Sequence, residues 1–166
     1  MKERTAALAE RLEQGSRALA AFASSLTEEE WNTQIPHDGR TVGVVVHHVA
    51  SVYPIEVDLA RTVAGGAPVV GVTADVINKM NAAHADQNRD ATREEAVALL
   101  RRNSASAAAA IRNLTDADLD RAATVSLNAD APLTCQFVLE DHAVRHSYHH
   151  FALIRAALKR ELVAAE

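Results

Sequence analysis

Eight histidines stand in this 166-residue chain, and His142, His146, His149 and His150 crowd together near its end. Imidazole binds divalent metals and moves protons near neutral pH, so chemistry is expected there. A helix turns by about 100° per residue; with His146 as reference, Cys135, Leu139, His142, His150, Leu153 and Ala157 lie within about 40° of it. Apart from its histidines that stripe is apolar or small, so it should face a core. A buried imidazole needs a partner, and a metal ion is one. Residues four apart are helix neighbours, whereas His142 and His150 are separated by about 12 Å of rise. The helix therefore offers one adjacent pair, His142/His146 or His146/His150, and His146 belongs to either. Cys135 lies about 16 Å of rise from His146, too far to join it.

A third ligand must come from another helix, and His47 and His48 are the candidates. The face centred on His48 holds Thr41, Val44, Val45, Ser51, Val52, Ile55 and Leu59 and is mostly apolar. The face centred on His47 holds Arg40, Gly43, Pro54 and Asp58. His48 is expected to point inward and His47 outward or to an edge. The competing use of these histidines is hydrogen bonding to buried carboxylates such as Glu56, Asp58, Glu140 or Asp141. Cys135 reads as inert packing on an apolar stripe. His84 sits in a polar stretch that reads as a solvated helix face, with a pocket-lining role as the alternative. Trp31 is expected to cover one end of the core, and Tyr148 to pack off the histidine stripe. The loop holding Arg40 is expected to cap the following helix, with anion binding by Arg40 as the alternative.

The elements that must position these residues are helical. Apolar residues recur at helical spacing in Ala-rich segments. A first helix is predicted over about 2–25, a short turn before Trp31 from the capping box of Thr27 and Glu30, and a helix over about 41–64 ending at Gly65-Gly66. Val42–Val46 is β-branched but runs into that helical pattern. Pro54 should kink the helix and strip the Ala50 carbonyl of its usual donor, on a side that water can reach. Further helices are predicted over about 73–88 and 92–113, the latter from a Thr92/Glu95 capping box. Residues 122–130 look extended or looped. The last helix is predicted from about 130, with Pro132 in its first turn, to about 162. The expectation is one all-α domain over 1–166, with four main helices and a few short turns.

Composition bounds the rest. Hydrophobic residues make up 48% and charged residues 23%, a globular balance. The net charge of −5 offers no basic footprint for nucleic acid or an anionic membrane. The mixed-charge start does not read as a signal peptide, and no apolar run approaches a bilayer span. One cysteine excludes an internal disulfide and a Cys-rich zinc module. A soluble cytoplasmic protein is expected.

The run from Asp38 to Ala50, Asp-Gly-Arg-Thr-Val-Gly-Val-Val-Val-His-His-Val-Ala, and the run from His146, His-Ser-Tyr-His-His, resemble the two motifs of the DinB-like superfamily. Its first motif is a Ser or Thr opening a helix with a His seven residues later, matched by Thr41 and His48. Its second is His-x-x-His-His on the last helix, matched at its metal-binding ends by His146 and His150. The step after that pair, Phe151-Ala152-Leu153, departs from the Gly-Gln-like step of many members. The resemblance implies a DinB-like four-helix bundle and a divalent metal (Zn, Ni, Fe or Mn) on His48, His146 and His150. It also implies a homodimer, and chemistry like that of thiol-dependent maleylpyruvate isomerases and S-transferases. A low-molecular-weight thiol would then be a cofactor and a small molecule the substrate. Two other functions stay open: a metal-dependent hydrolase with Glu140, Asp141 or His142 as base, and a non-enzymatic metal-binding bundle of a stress protein.

Overall fold

The computed structural model describes residues 3–159. Helix α1 runs Glu3–Ser24, the short α2 Glu28–Trp31, α3 Val42–Ala64, α4 Ala74–Gln87, α5 Arg93–Arg112 and the short α6 Asp116–Asp120. A hairpin of β1 (Ala122–Val125) and β2 (Ala131–Thr134) precedes the final helix, which comprises α7 (Cys135–Val138), a π-helical segment (Leu139–Val144) and α8 (Arg145–Ala157). Four long elements form the expected bundle: α1 packs on α5 and the final helix, and α3 packs on the same two. Thus α1 and α3 face each other across one diagonal. The core is aliphatic, with Leu8, Leu12, Val45, Val49, Leu100 and Ile154 among its buried side chains.

Helix starts follow side-chain chemistry. Thr27, Thr92 and Thr115 each close a capping box, and Thr41, Thr73 and Thr134 each accept a backbone N–H from the first turn. The β-branched run Val42–Val46 is helical because tertiary packing overrides propensity: all five residues at 42–46 are buried. Helix α3 is long and apolar enough to pass for a membrane span, but most of its apolar window is buried inside the bundle.

Three expectations need correction. The last helix does not start near 130 with Pro132 in its first turn. Pro132 pairs with Thr124 across the hairpin, where a two-stranded sheet leaves edges that need no proline N–H. The helix starts at Cys135, capped by Thr134, and its end is Ala157 rather than 162; residues 160–166 lie outside the described ones. The final helix is also not uniformly α, since its middle is a π segment. The Ala50 carbonyl freed by Pro54 is not left to water either: Asn103 on α5 donates its side-chain N–H to it at 2.8 Å.

Helix α4 stands outside the bundle. The loop before it is tied to the hairpin: Val69 donates to the Thr124 carbonyl, and the Ser126 hydroxyl donates to the Val72 carbonyl while accepting from the Val72 N–H. Helix α4 is thereby laid against α3, yet none of its residues is buried.

Candidate metal centre

His48 is delivered from the second turn of α3, and His146 and His150 from one regular turn of α8. One ring nitrogen from each of the three lies within 4.8 Å of the other two, the reach of a single ion. His146 Nε2 and His48 Nε2 are 3.3 Å apart. His48 and His150 are buried and His146 is partly so.

A carboxylate sets the polarity of this cluster. His146 Nδ1 lies 2.7 Å from Glu56 Oε1, an oxygen that can only accept. The proton therefore sits on Nδ1, and Nε2 is left with a lone pair turned toward His48. Metal-bound imidazoles are held this way, with the far N–H given to a carboxylate. Burial is the main force pushing His48 down to about 2 and His150 down to about 3, and electrostatic interaction with the neighbouring His146 and Arg40 adds to it. Both rings are neutral at pH 7 and offer lone pairs. His150 Nδ1 is also buried without a hydrogen-bond partner. Neutral nitrogens gathered within reach of one ion, one oriented by a carboxylate and one unpartnered, fit a divalent cation.

The π segment explains why His142 is not the partner of His146. An i→i+5 turn widens the helix between residues 139 and 144. His142 leaves the stripe predicted for it and instead helps line a cavity of about 250 Å³ beside His48 and His146. Past Arg145 the helix is regular, so His146 and His150 are true neighbours. The competing carboxylate partnership is present too: Glu56 holds His146, and Asp141 Oδ2 lies 4.0 Å from His142 Nε2. Glu140 pairs with Arg11 and Asp141 with Arg145 toward the surface, and Asp58 is an exposed neighbour of Arg61.

The other candidates fall into place around the triad. His47 is half-buried and meets His84 (Nδ1 to Nε2, 2.9 Å). His84 is thus not on a solvated face; its ring also lies 5.5 Å from that of His48. Arg40 gives Nε and Nη2 to Asp38 at 2.6 and 2.8 Å, holding the Asp38 carboxyl below its usual range, and keeps Nη1 buried without a partner. The cap of α3 is Thr41, not that loop. Trp31 is buried against Gly43 and donates its indole N–H to the Ala91 carbonyl. Tyr148 reaches the Arg11 carbonyl on α1. Cys135 is fully buried, and burial raises its thiol to about 11, which suits packing rather than reaction. The residue sequence reasoning undervalued is Glu56. Its signal was available: His48, Val52 and Glu56 follow at i, i+4 and i+8 on one helical stripe.

Fold and site together define a four-helix bundle with a histidine cluster suited to one metal ion. The chain belongs to the DinB superfamily, whose family model matches residues 11–154. Among solved structures it is similar to YfiT from Bacillus subtilis, described as a probable metal-dependent hydrolase with an unusual four-helix bundle topology. The TM-score is 0.75 at 22% identity, covering 96% of this chain and 88% of that one. No curated protein matches the chain.

Proposed function

We propose that the protein is a metal-dependent enzyme that activates a small nucleophile, water first, against a small-molecule substrate. The observation that carries this reading is Glu56. One carboxylate oxygen fixes His146, and the other, Oε2, is buried without a partner on a side chain that lines the same cavity as His48 and His146. A divalent metal on His48, His146 and His150 would supply a Lewis acid that brings the pKa of a bound water from 15.7 to about 7. Three protein ligands are the pattern of catalytic zinc, whereas structural zinc is closed by four. Nitrogen donors suit Zn, Ni and Fe alike, and Mn at lower affinity. Glu56 orients the His146 ring and stands ready to take a proton from the nucleophile. His142, in the cavity wall, is the second acceptor within reach of the site.

A small thiol in place of water, giving an S-transferase or isomerase, is the second reading. It is favoured by the cavity, which meets His48 and His146 directly and so admits a nucleophile larger than water. It ranks second because thiols of the glutathione type carry carboxylates, and no Lys or Arg lines that cavity among the described residues. The proposal includes a homodimer, read out by sedimentation at several concentrations.

The test is metal-loaded protein assayed on a panel of esters and phosphoesters, with and without added small thiols, beside His48→Ala. Turnover of an ester that His48→Ala lacks is expected. Thiol-dependent turnover alone selects the second reading. No turnover above the variant under either condition leaves a metal-binding bundle without chemistry and defeats the proposal.

A further inference from the structure

The cavity beside the histidines is divided by polarity. His48, Glu56, His142 and His146 contribute its polar groups, together with Asn81. The remaining wall is aliphatic, built from Val52, Ile55 and Leu59 of α3, Val76, Ile77 and Met80 of α4, and Val72 and Leu127 from the loop and hairpin turn beside them. Its one charged carboxylate, Glu56, is engaged by His146.

Helix α4 supplies three of those eight aliphatic residues, and the bundle fully buries none of them. No residue of α4 is buried, and Val76 and Met80 are 40% and 47% exposed, with Ile55 across from them at 43%. Large apolar side chains gathered around a concave mouth mark a binding surface. A ligand that fills the cavity gives these side chains the burial that the fold withholds, at about 25 cal/mol per Å² of apolar area covered. An anionic group placed along the aliphatic wall would face Glu56 with no Lys or Arg among the described lining residues to answer it, and a desolvated charge without a partner is costly.

We propose that this cavity binds an uncharged aliphatic group of the substrate, clamped between α3 and α4, with the reacting end of the molecule turned to His48 and His146. The word substrate rests on the enzymatic reading above; the binding itself does not.

The experiment uses metal-free protein, so that no ligand is held by a metal. Binding of 1-octanol, octanoate and octylammonium is measured by calorimetry at pH 7.5 for the native chain, Met80→Glu and Met80→Leu. Because Met80 is 47% exposed, Met80→Glu should melt with the native chain, and thermal unfolding checks that. Octanol is expected to bind once per chain, with octanoate about tenfold weaker or worse. Met80→Glu should lose about tenfold in octanol affinity, and Met80→Leu should keep it. The proposal is overturned if octanol does not bind, if octanoate binds as tightly, or if Met80→Glu binds octanol as the native chain does. It is equally overturned if Met80→Glu instead dissociates a dimer that excludes octanol, since the wall would then be an interface between two copies. Octanol binding without any turnover would keep this inference and sink the enzymatic one.

Discussion

Metal-free protein should lose stability as the pH falls from 7 to 5, chiefly through two side chains. Free imidazole titrates near 6.5. Burial, seconded by electrostatic interaction with the neighbouring His146 and Arg40, holds His48 at about 2 and His150 at about 3 in the folded chain. Below about 6.5 the unfolded chain takes up both protons and the folded chain takes up neither. Stability is therefore complete above that pH and declines as the pH drops toward 3. Each proton bound only by the unfolded state contributes about 1.4 kcal/mol per pH unit. Integrated from pH 7 to 5, each histidine removes about 1.9 kcal/mol, and the pair about 4 kcal/mol. That is a large share of the roughly 5–15 kcal/mol that holds a domain together. His47, His84 and His149 are shifted the same way but are less buried, so their share is smaller. Urea unfolding followed by circular dichroism at pH 7, 6 and 5, in chelator-treated buffer, measures the slope. The double variant His48→Gln/His150→Gln should be markedly flatter. A native chain with level stability over this range, or a double variant as steep as the native chain, would refute the assignment of these two rings as buried and neutral.

Glu56→Gln should weaken zinc binding by about 10- to 100-fold in competition with a chromophoric chelator, because His146 loses the carboxylate that orients it. Gly43→Ala should cost about 1–3 kcal/mol by overpacking. Its new methyl would land inside contact distance of the Trp31 indole, so the fluorescence of that sole tryptophan should shift as well. Asn103→Leu should destabilise by about 1–3 kcal/mol in the same urea assay, since it leaves the Ala50 carbonyl buried with no donor. An Asn103→Leu chain as stable as the native one would mean that water replaces the amide.

The inward face of α3 was legible because α3 is regular from its Thr41 cap past His48, so counting 100° per residue holds. The choice between His142 and His150 was not, because helical counting assumes the α period and the π segment breaks it between the two candidates. Pro132 fits the first turn of a helix and the edge of a hairpin equally well, and the partner that decides it, Thr124, lies eight residues away across a turn. The Asn103 bond to α3 has no local signature, as it joins positions 53 residues apart. The pairing of His47 with His84 likewise depends on where α4 is laid, which the anchoring of its loop to β1 decides.

The wide turn at Leu139–Val144 has a consequence for how this helix tolerates change. Upstream of it, Cys135 and Val138 are locked into the core; downstream, α8 presents His146 and His150. In an uninterrupted α-helix the two ends would be torsionally rigid with each other, and any rotation that repacked the core would swing the ligands equally. Both ends carry core residues, Ile154 on α8 among them, so their relative phase has to be kept. The π segment is the place where a residue can be lost: an i→i+5 segment holds about one residue more than the α turns it replaces, so removing one would close it to α and leave α7 and α8 nearly in phase. A one-residue change in length within those six residues therefore leaves the core face and the ligands in place.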